Sequence, residues 1–179
     1  TVRPAPRPDI VFESVDVPSR LTAGDEVTLS YKLRNAGADM PESIDSFLVR
    51  LGFGLPGATG SQAADLPQKI VSVPRMAAGE TVEGQITFRL PFTATNGAYL
   101  LRLDADHDRR NDLGRVFETA AGENNNLFET PVTVDLPPPS DLRALNIAAP
   151  ATGRSGDEVT ISWQVTNEGQ HRAAGPWSD

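Results

Sequence analysis

Two stretches of this chain, Asp9–Gly37 and Asp141–Gly169, lie over each other without a gap, and ten of their 29 positions agree. The matches fall on turn and boundary residues: Pro18 and Pro150, Gly24-Asp25 and Gly156-Asp157, Asn35 and Asn167, Gly37 and Gly169. The others mostly occupy positions between them, such as Val27 and Val159 or Thr28 and Thr160. The interval between the copies is domain-sized, far too long for a solenoid unit, so the expected organisation is modules in series. A first module spans residues 9–135, and residues 141–179 hold the N-terminal part of a second. Proline-rich connectors, residues 1–8 and 136–140 (LPPPS), precede each copy. Such runs favour extended polyproline II and act as short, semi-rigid spacers. With no initiator Met and no apolar signal-like start, the sequence reads as a piece of a longer polypeptide.

Within the first module the hydrophobic period is two. Val27, Leu29, Tyr31 and Leu33 alternate with Thr28, Ser30, Lys32 and Arg34, as in a strand with one buried face. Ile86, Phe88 and Leu90 repeat the pattern, as do Tyr99, Leu101 and Leu103, and then Phe128, Thr130, Val132 and Val134. Ile10–Val15, Phe47–Phe53 and Lys69–Val73 supply three more strands. Turn residues separate them, at Ala23-Gly24-Asp25, Gly52–Gly60, Ala78-Gly79-Glu80 and Thr95-Asn96-Gly97. The expected fold is all-β: an immunoglobulin-like antiparallel β-sandwich of about seven strands, followed by the start of a second copy. Tyr99, opening the sixth strand, stands where such folds place a tyrosine corner; the plainer alternative is an ordinary core aromatic.

The formal net charge of −8 excludes an electrostatic nucleic-acid binder, whose phosphates demand a basic surface. No stretch approaches the roughly 20 apolar residues of a membrane-spanning helix. Zero cysteines exclude disulfides, thiolate metal sites and a cysteine nucleophile. About 125 residues are enough to bury a core without such staples.

The opening pattern Asp-x₈-Pro…Gly-Asp-Glu-Val-Thr…Asn-x-Gly occurs twice. The first module closes on Asn96-Gly97-Ala98-Tyr99-Leu100-Leu101-Arg102-Leu103-Asp104-Ala105-Asp106, then Glu118…Glu123-Asn124-Asn125. Together these resemble the bacterial CARDB family, the cell-adhesion-related domain found in bacteria. Trp177-Ser178-Asp179 looks like the Trp-x-Asp that opens the third strand in many members. The first module departs from the pattern in having Ser43-Ile44-Asp45 there, and in the long Leu55–Gln68 insertion. The resemblance implies tandem copies in an exported or surface-displayed bacterial protein and no defined reaction.

The acidic loop that follows the sixth strand is the densest set of hard oxygen donors. Asp104, Asp106, Asp108 and Asp112, with Glu118 and Glu123 returning along the same loop, are candidate Ca²⁺ ligands. If Asp104 and Asp106 end a strand, their side chains share one face. As an EF-hand the loop fails, because Arg109 stands where the turn needs Gly and Arg115 where a bidentate Glu belongs. The alternative is a solvated acidic loop, partly neutralised by Arg102, Arg109, Arg110 and Arg115. Glu123-Asn124-Asn125-Asn126 has a local explanation, since Asn side chains shape tight approaches to strands and the Glu can accept loop N–H groups.

Catalysis finds little support. The two histidines, His107 and His171, fall in different modules, and neither Gly-x-Ser-x-Gly nor His-Glu-x-x-His is present. Gly52–Gly60 lacks the Lys-Ser/Thr of a phosphate loop and reads as a connector. Trp163 aligns with Tyr31 and is expected in a core, leaving Trp177 as the better surface aromatic. The expected function is a non-catalytic spacer and adhesion scaffold at the bacterial surface or outside the cell. Its expected partners are adjacent modules of the same polypeptide and a protein or glycan ligand. The alternative is an accessory, glycan-binding module of a secreted hydrolase. Residues 141–179 are too few for an independent sandwich and are expected to be disordered, or to pair with a sheet edge of the first module or of a neighbouring chain.

Overall fold

The computed structural model describes residues 5–56, 66–107, 114–119 and 121–173. The chain divides into two compact units, Thr1–Leu136 and Pro137–Asp179.

The first unit is an immunoglobulin-like antiparallel β-sandwich. Among the described residues its strands are β1 (Ile10–Asp16), β2 (Arg20–Thr22), β3 (Glu26–Asn35), β4 (Ser46–Gly54), β5 (Lys69–Pro74), β6 (Thr81–Arg89), β7 (Gly97–Ala105) and β8 (Leu127–Asp135). One sheet has the order β1-β3-β6 and the other β2-β8-β7-β4-β5. The seven strands read from alternation are all present. The eighth, β2, is three residues long and runs parallel to β8. A strand that short has no period to read, which is why the sequence did not disclose it.

Alternation does what the period-two argument requires. Val27, Leu29, Tyr31 and Leu33 of β3 are buried, as are Tyr99, Leu101 and Leu103 of β7 and Val132 and Val134 of β8. They meet Phe47, Val49, Leu51 and Phe53 of β4 and Ile86 and Phe88 of β6 in one core. Phe53 meets Phe88 edge-on at 5.8 Å, and Phe12 meets Tyr31 at 6.2 Å. The Tyr99 hydroxyl donates to the Thr95 carbonyl at 2.9 Å, four residues upstream, and so forms a tyrosine corner.

One loop expectation is corrected. Gly52, Phe53 and Gly54 are strand rather than connector, paired with Arg102, Leu101 and Leu100 of β7. Apolar Leu51 and Phe53 need the sheet to be buried, and this outweighs the glycines' preference for turns. Residues 57–65 of the insertion lie outside the described residues.

The second unit contains β9 (Leu142–Ala148) and β10 (Ser162–Asn167), an antiparallel pair. Its side chains are mostly exposed, Trp163 at 48% and Ile147 at 68%. The expected core role of Trp163 is therefore not seen, although Tyr31 at the matching position is 5% exposed. Tyr31 is covered by a second sheet, whereas among the described residues β9 and β10 pair as a two-stranded sheet. Trp177 lies outside the described residues.

Candidate functional site

The acidic residues do not act as one group. Asp104, in β7, faces Arg50 of β4, whose Nη2 is 3.1 Å from its Oδ2; His107 Nδ1 is also 3.1 Å from that oxygen. The chain then turns at Asp106, which adopts φ +58. That turn carries Asp106 inward to 5% exposure, so the expected shared face with Asp104 does not exist. Asp106 Oδ1 accepts the Arg115 N–H at 3.0 Å, and Oδ2 the Val116 N–H at 2.7 Å. These bonds fold residues 114–116 back over the end of β7. Gly114 makes this fit possible: a Cβ there would stand 1.9 Å from Asp106 Oδ2, and its φ of +67 also disfavours other residues. Asp108 and Asp112 lie outside the described residues.

Glu118 and Glu123 are brought together, at the far end of the same loop and beside the start of β1. Glu123 Oε1 accepts the Glu118 N–H at 3.2 Å, the local role expected for that Glu. Glu118 is 2% exposed, and its Oε1 accepts the Ile10 N–H at 3.1 Å. Its Oε2 is buried with no hydrogen-bond partner. Burial pushes the Glu118 carboxyl up to about 8; the Ile10 N–H opposes the rise, and Glu123, Asp9 and Asp106 add to it. Asp9 is the residue that sequence reasoning missed here. It begins the repeat, so its role looked like a boundary marker. Its Oδ1 accepts from Asn125 Nδ2 at 3.0 Å, which draws the Asn run to the same place.

Arg7 closes this end of the sandwich. Its Nη1 donates to the Glu118 carbonyl at 2.8 Å, and its guanidinium lies 4.8 Å from the centre of the Phe117 ring. Among the described residues, no group of three or more His, Asp or Glu is arranged to hold a metal ion.

A second constellation gathers around the repeated Asn-x-Gly. Asn35 is fully buried. Its Oδ1 accepts the Asp9 and Gly37 N–H groups, both at 3.1 Å, and its Nδ2 donates to the carbonyls of Ala38, Met76 and Ala77. In the other unit, Asn167 Oδ1 accepts the Asp141 and Gly169 N–H groups at 3.0 Å, and Nδ2 donates to the His171 carbonyl. Ala36 N–H donates to the Asp9 carbonyl, and Glu168 N–H to that of Asp141, each at 2.7 Å. A Cβ on Gly37 would stand 2.3 Å from the Arg7 carbonyl oxygen, and one on Gly169 2.5 Å from that of Pro139. Both connectors thus end against a glycine that only a bare backbone can provide.

Strand pairing follows the same plan in each unit. Ile10 faces Asn35 and Asp16 faces Ser30, with a register shift between. Leu142 faces Asn167 and Ala148 faces Ser162, again with a shift between.

No family model and no curated protein matches the chain. Among solved structures, it is similar to the crystal structure of the CARDB domain of the PF1109 protein from Pyrococcus furiosus in complex with di-metal ions. The two are 20% identical over 73% of this chain and 96% of that chain, with a TM-score of 0.48. The solution NMR structure of that domain gives 19% identity over 72% and 95%, with a TM-score of 0.47. A β-glucosidase from Listeria innocua in complex with isofagomine is 10% identical over 71% of this chain but only 16% of its own, with a TM-score of 0.42. At such identities the likeness is one of fold and says nothing of activity.

Proposed function

We propose that this chain is a non-catalytic spacer and adhesion-type scaffold of an exported bacterial protein, built from sandwich modules in series. The observation that carries the reading is the paired Asn-x-Gly clamp. In both units the first residue after a proline-rich connector, Asp9 or Asp141, is bonded to the first strand pair. A connector with tethered ends transmits the direction of one module's sheet into the chain before it, as a spacer needs and a flexible linker does not do. Antiparallel pairing over β3, β7 and β8 supplies a body whose many inter-strand hydrogen bonds resist unfolding. Adjacent copies are the first partners of such a scaffold, and its place is the cell surface or the extracellular space.

Backbone ¹⁵N relaxation on the full chain tests the clamp. The amides of Asp9, Gly37, Asp141 and Gly169 are expected to be as ordered as those of β3 and β10. Asn35→Ala and Asn167→Ala should each loosen only their own connector. Coil-like order parameters at Asp9 and Asp141 in the parent chain would remove the spacer reading.

A second reading, an accessory module that binds glycans, draws support from a polar groove of about 580 Å³ across β1, β3 and β6. Ser14, Asp16, Ser30, Lys32, Glu83 and Gln85 line it. Titration with oligosaccharides should then move the amide resonances of Ser30–Lys32, and unmoved resonances would dismiss it.

A further inference from the structure

The geometry points to the free edge of β10, with residues 156–161 before it, as the acceptor of an antiparallel β-strand of β6 chemistry. Five residues stand unchanged in both copies, Gly-Asp-Glu-Val-Thr at 24–28 and at 156–160. In the first unit each of the five meets the end of β6 or Leu90, the residue after it. Gly24 N–H donates to the Leu90 carbonyl at 2.8 Å, and Leu90 N–H to the Asp25 carbonyl at 3.0 Å. Arg89 Nη1 donates to the Gly24 carbonyl at 3.1 Å, and its Nη2 lies 3.8 Å from Glu26 Oε2. Val27 faces Phe88, and the hydroxyls of Thr28 and Thr87 are 2.8 Å apart. The repeated motif is a dock for a strand end.

In the second unit that dock stands open. Among the described residues β9 and β10 pair alone, so no strand lies where β6 lies on β3. Strand lengths carry the consequence. β3 begins at Glu26, although β1 pairs with it only from Ser30 onward; residues 26–29 are strand because β6 pairs with them. β10 begins at Ser162, the match of Ser30, and residues 158–161 join no ladder among the described residues. What β10 lacks is the part of β3 that β6 alone holds. Val159 and Ile161 in that part are each 52% exposed, whereas their matches Val27 and Leu29 are buried.

Register defines the occupant. Tyr31 faces Gly84 in the ladder of β3 and β6, and a Cβ on Gly84 would stand 2.3 Å from Tyr31 Cζ. The tyrosine ring thus takes the room of a side chain on the neighbouring strand. Trp163 matches Tyr31 and is larger, so glycine is required opposite it as well. Beyond that glycine the strand needs apolar residues facing Ile161 and Val159, as Ile86 and Phe88 face Leu29 and Val27, and an arginine facing Glu158. Main-chain bonds along the edge hold such a strand, and its alternate side chains make it specific. β10 has no glycine of its own between Glu158 and Asn167, so the same edge of a second copy does not meet the requirement. The occupant is a β6-type strand of another sandwich module.

The test titrates the full chain, carrying Trp177→Phe, with a synthetic peptide of residues 79–91, which contains β6. Trp163 emission should shift to the blue, and the amide resonances of residues 158–165 should move. Those of residues 26–33 should stay, because their edge is already taken. A Gly84→Val peptide should bind roughly tenfold more weakly or worse, since its side chain clashes with the indole. In a second arm the same residues are fused after residue 179 through a flexible Gly/Ser linker, which raises their effective concentration to about millimolar. Deuterium exchange of the 158–165 amides should then slow by roughly tenfold or more, and the Gly84→Val fusion should leave it unchanged. Amides of 158–165 that neither move with peptide nor gain protection in the fusion would overturn the acceptor. Equal responses to the parent and Gly84→Val strands would overturn the occupant, as would a dimeric chain with Trp163 already blue-shifted before peptide is added. Connector order, on which the spacer reading stands or falls, is measured apart from all of these.

Discussion

Asn35 carries more of the architecture than its size suggests, because all of its amide valences end on backbone from three segments: the connector, the turn after β3 and the approach to β6. Asn35→Ala would leave the Asp9 and Gly37 N–H groups and the Ala38 carbonyl to find other partners, while the Met76 and Ala77 carbonyls keep the Met40 and Glu80 N–H groups. A loss of about 2–4 kcal/mol in unfolding free energy is expected, measurable as a lower urea midpoint at unchanged slope. Glu118 makes a different demand, through protons. Unfolded, its carboxyl titrates near 4.5; folded, near about 8. Between those values the folded chain holds the extra proton, so stability in EDTA should fall as pH rises from about 4.5 to about 8 and level off above. Glu118→Gln should flatten that part of the profile and be the more stable form at pH 8. A parent profile that rises across this window would contradict it. The repeat had singled out Asn35 and Asp9, but only as boundaries; Gly122 gave no signal, because its loop meets the start of β1 from more than a hundred residues away.

Strands were the most legible part of this molecule, for a simple reason. Each of the seven long ones buries one face, and a period of two records that burial along the sequence. What the pattern could not record was whether a covering sheet exists. Tyr31 and Trp163 occupy the same place in the same motif, and only the first is covered. Chain order likewise could not show that the turn at Asp106 would send Asp104 and Asp106 to opposite duties, since φ +58 in a non-glycine residue is offset by two bonds from backbone N–H groups nine and ten residues downstream. The paired strands β9 and β10 make a testable contrast. A two-stranded sheet with exposed side chains has little apolar burial to hold it. Its amides should exchange with deuterium far faster than those of β3 and β7, which the core of the sandwich protects. In a Trp177→Phe background, Trp163 should emit as a solvated indole and shift little on addition of urea. A blue-shifted emission that moves red on unfolding would mean that its face is covered.

Among the described residues, every residue of the buried core, from Ile10 to Val134, belongs to the first unit. Cooperative unfolding of the chain should therefore be the unfolding of one sandwich, with the enthalpy and denaturant slope of about 130 residues rather than 179. Removing residues 137–179 tests this directly. The shortened chain retains β8, whose Val132 and Val134 complete the core, and the Arg20–Asp135 ion pair beside β2. It loses none of the tyrosine corner, the Asn35 network or the Asp106 turn. Its calorimetric transition is expected within about 2 °C of the parent's, with the same enthalpy. The reverse cut, leaving 137–179 alone, removes the whole of that core. What stays is a single strand pair bonded through Asn167, and such a pair is marginal in water. Far-ultraviolet circular dichroism of that fragment should show no cooperative melting. If instead the shortened sandwich lost several degrees, or the fragment melted sharply, the core assigned to residues 10–134 would be incomplete, and the second unit would have to be counted as part of the folding unit rather than as the opening of another.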